Sequence, residues 1–149
     1  MAAGAWTLHN KIKEYIGDGT VDLDTHTFKC GLALSTSNIA TASIDGYAAV
    51  TNEHANANGY TTGGQALTSV TWVEASGTIT FDSADVTWTA SGGSITSRYG
   101  FIYDDTVTTP VADPVVCHSL LDTTPADVTA TSGNTLTIQM NASGIFTVA

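Results

Sequence analysis

Positive charge is scarce in this chain. Four Lys plus Arg stand against 14 acidic residues in 149 positions, a formal net charge of −10. So acidic a surface repels phosphate backbones and anionic lipid, so the expected partners include neither nucleic acid nor membrane. Long apolar runs are missing too, and none reaches the roughly 20 residues of a membrane-spanning helix. The opening Met1–Trp6 has neither the charged start nor the apolar run of a signal peptide, which predicts a soluble protein that is not classically secreted. There are only two cysteines, Cys30 and Cys117, and no Cys-x-x-Cys or Cys/His spacing that would suggest zinc. Both fall in apolar, strand-like runs. They read as buried small hydrophobes of a chain made in a reducing cytosol, with a Cys30–Cys117 bridge as the alternative.

Catalytic signatures are equally sparse. There is no Gly-x-Ser-x-Gly elbow, no phosphate-binding glycine motif and no Asp-x-Asp-x-Asp-Gly calcium loop. His9, His26, His54 and His118 share no ligand spacing. Asp82/Asp85 and Asp104/Asp105 flank turns, where acids are ordinary solvated residues. A glycosidase needs two carboxylates placed across a sugar, and calcium needs six to eight oxygens. We therefore expect no catalytic residue, no cofactor and no metal, and not an enzyme. Asn141-Ala142-Ser143 matches a glycosylation sequon, which carries little weight without a secretory signal.

What the chain does have is Thr, Ser, Gly and Asn between short apolar alternations. Thr favours strands, and Gly, Ser and Asn favour turns. The stretch from Gly77 to Asp105 sets the pattern. Ile79 and Phe81, then Val86 and Trp88, then Tyr99, Phe101 and Tyr103 each place apolar side chains on one face of an extended segment. Asp82-Ser83 and Ser91-Gly92-Gly93 separate them as turns. Trp88 and Phe101 are expected at the centre of one core.

Elsewhere, Phe28, Cys30, Leu32 and Leu34 alternate with Lys29, Gly31 and Ala33 as a half-buried strand, and Val21 and Leu23 begin another. Leu67 to Val73 is predicted as a strand carrying Trp72. Val115 to Leu121 is apolar on both faces and suits the middle of a sheet. Leu136, Ile138 and Met140 form a strand, and Asn141–Gly144 turns into Ile145–Val148. Val107–Pro114 and Asp122–Ala130 are expected as loops.

One helix is predicted, over Trp6 to Ile16. Leu8, Ile12, Tyr15 and Ile16 share a face at i, i+4, i+7 and i+8, Thr7 caps the start and Gly17-Asp18-Gly19 ends it. Ser35 to Asn58 is a long polar segment without periodicity, expected as a partner-facing loop with Glu53-His54 at its end. The fold expected is all-β: one β-sandwich or jelly-roll-like domain over residues 1–149. It has an N-terminal helical segment at 1–20 and a long loop at 35–58. Its core is expected to hold Phe28, Leu32, Trp72, Phe81, Trp88, Phe101, Tyr103, Ile138 and Phe146. The candidate interface is Trp6, Leu8, Lys11, Lys13 and Arg98. The first four form an apolar and cationic patch on an acidic chain. Arg98 meets Asp104 or Asp105 locally, or an acid across a subunit boundary.

Five blocks in consistent order carry a resemblance. They are Asn10–Lys13 with Gly19–Thr25 and Phe28-Lys29; Glu53 with Gly59–Leu67; Phe81–Trp88; Arg98–Thr106; and Asn141–Phe146. Together the set resembles a family of small structural proteins of tailed bacteriophages, most like capsid decoration or cement proteins. The resemblance implies a non-enzymatic virion protein with a β-sandwich core. It would be made in the host cytoplasm, seated on the outer capsid surface against the major capsid protein, and assembled as a homotrimer. The alternatives are a tail or fibre component that binds a host receptor, and, in another class, a carbohydrate-binding module or glycosidase.

Overall fold

The computed structural model describes residues 3–124 and 126–149. Among these are twelve short strands. In chain order they are β1 (Thr7–Leu8), β2 (Phe28–Ala33), β3 (Gln65–Ala66), β4 (Thr71–Ala75), β5 (Thr78–Asp82) and β6 (Val86–Thr89). Then come β7 (Ile95–Ser97), β8 (Tyr99–Asp104), β9 (Val115–Leu120), β10 (Val128–Ala130), β11 (Thr135–Ile138) and β12 (Phe146–Val148). One α-helix, α1 (Ile12–Asp18), and a single 3-10 turn at Tyr47–Ala49 accompany them. The chain is all-β.

All strand pairings are antiparallel. A five-stranded sheet in the order β1-β9-β8-β2-β3 forms one layer. Opposite it lie a three-stranded sheet, β12-β5-β4, and the pairs β11-β6 and β10-β7. The layers meet through side chains that the alternating pattern aims inward. Phe28 of β2 meets Phe81 of β5 edge-on with ring centroids 5.2 Å apart. Phe146, Phe81 and Trp72 stand in register across β12, β5 and β4. Trp88 and Ile102 belong to the same cluster.

The five-stranded sheet is buried on both faces. Along β8, Gly100 and Ile102 face the opposing layer, while Tyr99, Phe101 and Tyr103 face away from it. A second cluster covers that far face: Ile39, Ile44, Tyr47 and Val50 pack with Phe101, Tyr103, Ala33 and Val115. Trp88 and Phe101 thus lie on opposite sides of one sheet, not in one core as expected. The physical reason is that β8 is apolar in both phases, so alternation alone does not say which phase faces Trp88. The segment over residues 35–58 is the cover. Ile39 is fully buried, and Tyr47 stacks on Tyr103 at 4.5 Å between ring centroids. A long polar segment expected to face a partner is instead packed on its own sheet by a few well-placed apolar residues.

Gly31 shows how tightly the far face is packed. It pairs with Phe101 across β2 and β8, and a Cβ there would overlap the Phe101 ring. At Gly64, where φ is +74°, a Cβ would overlap the Cys30 carbonyl, so the 61–64 turn closes only on a residue without a side chain.

Several other boundaries differ from the expectation. The helix begins at Ile12 rather than Trp6, and Thr7 is extended, pairing with His118 of β9. Lys11 precedes the helix without a side-chain cap. Leu8 shares the helical spacing by coincidence, because Trp6 and Leu8 also share the two-residue period of a strand. Ile12 and Tyr15 are buried against the core, and Gly19 ends the helix in the left-handed region at φ 80°. Val21 and Leu23 are each 2% exposed, but they lie in a turn in which Asp22 Oδ1 accepts the Asp24 and Thr25 amides. The Asp122–Ala130 segment ends in strand β10 rather than remaining loop. Trp72 sits on an edge strand and is only half-buried, whereas the other eight expected core residues are buried. Cys30 and Cys117 are both unpaired and fully buried, and burial pushes the Cys30 thiol up to about 12.

Two substitutions test this packing by urea unfolding. Trp88→Ala should cost about 3–5 kcal/mol through lost burial and a cavity. Gly31→Ala should cost about 1–3 kcal/mol, because Phe101 has no room to retreat beneath the cover. A loss below about 1 kcal/mol for both would contradict the two-faced core.

Candidate functional site

The expected interface residues do not form one patch. Trp6 and Leu8 are half-buried and pack against the main core. Lys11 pairs with Glu14 one turn along α1, at 2.7 Å, and Lys13 is exposed. Arg98 Nε donates to Asp127 Oδ1 at 2.8 Å. The partner of Arg98 is therefore within the chain, but it is neither Asp104 nor Asp105. Those two acids do other work: Asp105 pairs with Lys29 at 2.9 Å, and Asp104 is fully buried.

Three buried polar clusters stand out. The first centres on Glu53. Its carboxylate accepts hydrogen bonds from Tyr47 Oη, from Tyr60 Oη at 2.6 Å and from the Gly63 amide at 2.7 Å. Tyr60 Oη also accepts the Leu32 amide of β2, and Tyr103 Oη donates to the Gly63 carbonyl. Burial, and then the hydrogen bond to Glu53, pushes the Tyr47 and Tyr60 phenols above their ordinary value, so both stay protonated donors. One carboxylate thus ties the cover segment, the 61–64 turn and the five-stranded sheet together.

The second cluster is His9 with His118. His9 Nδ1 lies 2.7 Å from the Ile44 carbonyl. A carbonyl only accepts, so this nitrogen carries the proton and Nε2 is bare. His118 Nδ1, 3.0 Å from that Nε2, must then donate to it. Both rings are neutral in this arrangement. Burial lowers the affinity of each for a proton, and His118, with His9 beside it, is pushed down to about 4. The pair joins β1, β9 and the cover segment.

The third is His26 Nδ1 with Asp104 Oδ2 at 2.7 Å, while Asp104 Oδ1 accepts the Thr106 amide. A histidine oriented by a buried carboxylate is one half of a hydrolytic relay. Among the described residues no hydroxyl or thiol is hydrogen-bonded to His26, so the relay lacks a nucleophile. The pair clasps the 22–27 turn to the end of β8.

No group of three or more His, Cys, Asp or Glu placed to hold a metal occurs among the described residues. No described helix is long and apolar enough to cross a membrane. Among the described residues a groove of about 850 Å3 lies between residues 3–6, the end of β9 and the segment from Leu136 to Thr147. Sequence reasoning passed over both this groove and the Glu53 cluster. The sequence marks Glu53 as a loop end and groups it with Gly59–Leu67, but nothing in that spacing identifies it as the shared acceptor of Tyr47, Tyr60 and the Gly63 amide. Comparison with protein-family models, curated proteins and solved structures finds no match.

Glu53→Ala should lower stability by about 1.5–3 kcal/mol, the range for hydrogen bonds to a charged group. Amide exchange should accelerate over residues 47–64 first, as followed by mass spectrometry. The histidine pair predicts a pH dependence of definite sign. Its folded-state proton affinity lies below the unfolded value of 6.5, so its stabilisation is complete above that pH and is lost as pH falls toward about 4. The melting temperature should drop across this window, and the drop should shrink in His118→Gln. An identical profile in that variant would assign the acid sensitivity to other groups.

Proposed function

We propose that this chain is a capsid decoration protein of a tailed bacteriophage, bound as a homotrimer to the major capsid protein on the outside of the head. The reading rests on the ordered sequence blocks that resemble this family, and their places in the fold agree with it. Gly59–Leu67 forms the turn held by Glu53, Phe81–Trp88 spans the inner faces of β5 and β6, and Arg98–Thr106 contains the central strand. These are positions that decide a fold, so shared residues there point to a shared architecture rather than to shared chemistry. The acidity suits a location away from packaged DNA.

The observation that carries docking is the outer end of the β12-β5-β4 sheet. Val73 of β4 and Val148 of β12 are 57% and 46% exposed, the exposed large hydrophobics among the described residues. Val148, Ile79 and Glu74 continue the face of Phe146, Phe81 and Trp72 beyond the limit of the core, while Val73 stands on the opposite face. β4 is a sheet edge without lysine or proline to blunt it. A sheet end uncovered on both faces can lie against a capsomer and bury these residues. It would add apolar contact across neighbouring capsomers and resist internal pressure.

The test is binding to purified heads stripped of the protein, read by co-sedimentation and cryo-electron microscopy. Wild-type protein should decorate the heads in many regularly spaced copies. Val73→Glu with Val148→Glu should reduce occupancy by about tenfold or more, while Thr25→Glu on an exposed turn should not. No decoration by wild-type protein would reject the function. Full decoration by the double variant would reject this docking margin.

A further inference from the structure

The charges of this chain are unevenly distributed, and the groove lies where they are missing. From Val128 to Ala149 there is no charged side chain, on a chain with 14 acids and 4 Lys plus Arg. The groove of about 850 Å3 is lined by that segment, by residues 3–6 and by Ser119 and Leu121, none of them acidic, basic or histidine. Its volume lies within the range of small-molecule sites. The lining mixes two kinds of surface. Buried Leu136 and Ile138 and half-buried Trp6 supply apolar contact. Gln139, Asn141, Ser143 and Thr147 supply exposed amides and hydroxyls. Trp6 packs against the main core and also lines the groove. The Asn141–Gly144 turn is also fixed, with Asn141 Oδ1 accepting the Ser143 amide at 2.8 Å.

The geometry points to this groove as a binding site for a neutral oligosaccharide. An anionic ligand would enter a groove without a counter-charge, near a strongly acidic body, and a cationic one would find no carboxylate in the lining to pair with. A wholly apolar ligand would leave the amides and hydroxyls unpaired as it displaced their water. A neutral sugar matches both surfaces, because its C–H face packs on an indole while its hydroxyls exchange hydrogen bonds with amides and hydroxyls. The site binds and does not cleave. Asp85 reaches its margin, where its Oδ1 accepts the Met140 amide at 2.8 Å, and the lining itself offers no carboxylate to face it. The groove reaches Thr147 of β12, next to Val148 of the proposed docking margin, so sugar binding is read on the free chain, apart from capsid docking. On a particle that carries the protein in many copies, weak sugar contacts would add up through multivalency.

The experiment is a screen of the full chain on an array of neutral and anionic glycans. It is followed by calorimetric titration and saturation-transfer NMR with the neutral oligosaccharide that scores highest. The expected result is binding to a neutral class, unchanged in 1 M NaCl because no ion pair contributes. Trp6→Ala and Gln139→Ala should each weaken it by about tenfold or more. Gln139 is exposed in the lining and takes no part in fixing the turn, so that variant reads the site even if Trp6→Ala disturbs β1. Three results would overturn the proposal: no binding to any neutral glycan, binding confined to anionic glycans, or affinity retained in both variants. A fourth is self-association of the wild-type chain that Asn141→Glu abolishes, which would assign the groove to a second copy. Decoration of stripped heads is measured separately with the same variants, so failure of the sugar reading and failure of the decoration reading are distinguishable.

Discussion

The structure depends on one strand that has no solvent-facing side. β8 carries Phe101 and Tyr103 toward one face and Gly100 and Ile102 toward the other, and all four are buried. A strand of this kind requires an apolar partner on each side. On one side the opposing strands provide it through Trp88, Phe81 and Ile138. On the other no sheet is available, and the 35–58 segment must do the work with Ile39, Ile44, Tyr47 and Val50. Glu53 then has to be where it is. A cover made of a long irregular segment has little backbone pairing of its own, and a carboxylate with three donors anchors it at the end nearest β2.

This also explains what could and could not be read from the residues. Strands β2, β5, β6, β8, β9 and β11 were legible because each alternates or is continuously apolar over four or more residues. Short strands such as β1, β3 and β10 were not, because two or three residues define no period and their existence depends on a partner far away in the chain. The N-terminal helix was displaced for a related reason. Trp6 and Leu8 fit both periods, and pairing with β9 decided between them. The cover was misread because its apolar residues are spaced by fold contact and not by any regular period. Of the candidate sites, the histidines were visible as residues, but nothing in their spacing showed that His9 and His118 would meet across 109 positions. The groove was invisible, being an absence of charge assembled from both ends of the chain.

The distribution of charge gives the molecule distinct regions. Acids cluster on the turns around α1, on the 104–113 region and on the 122–127 segment, whereas the groove wall carries none. Each of Lys11, Lys29 and Arg98 is paired with an acid inside the chain. Such surface pairs contribute little to stability. Their effect is to leave most of the acidic surface uncompensated, in contrast to the uncharged groove.

The cover has a consequence for how the chain reaches this state. β1 pairs with β9 and β2 with β8, so the five-stranded sheet joins residues far apart in sequence, and such topologies form slowly. The cover can settle only after β2, β8 and β9 are side by side. Until it does, Phe101, Tyr103 and Val115 face water on the sheet, the kind of surface on which half-formed chains stick to one another. The large negative charge, which contributes nothing to the packed core, then acts between molecules: it keeps unfinished copies apart for as long as the sheet waits for its cover.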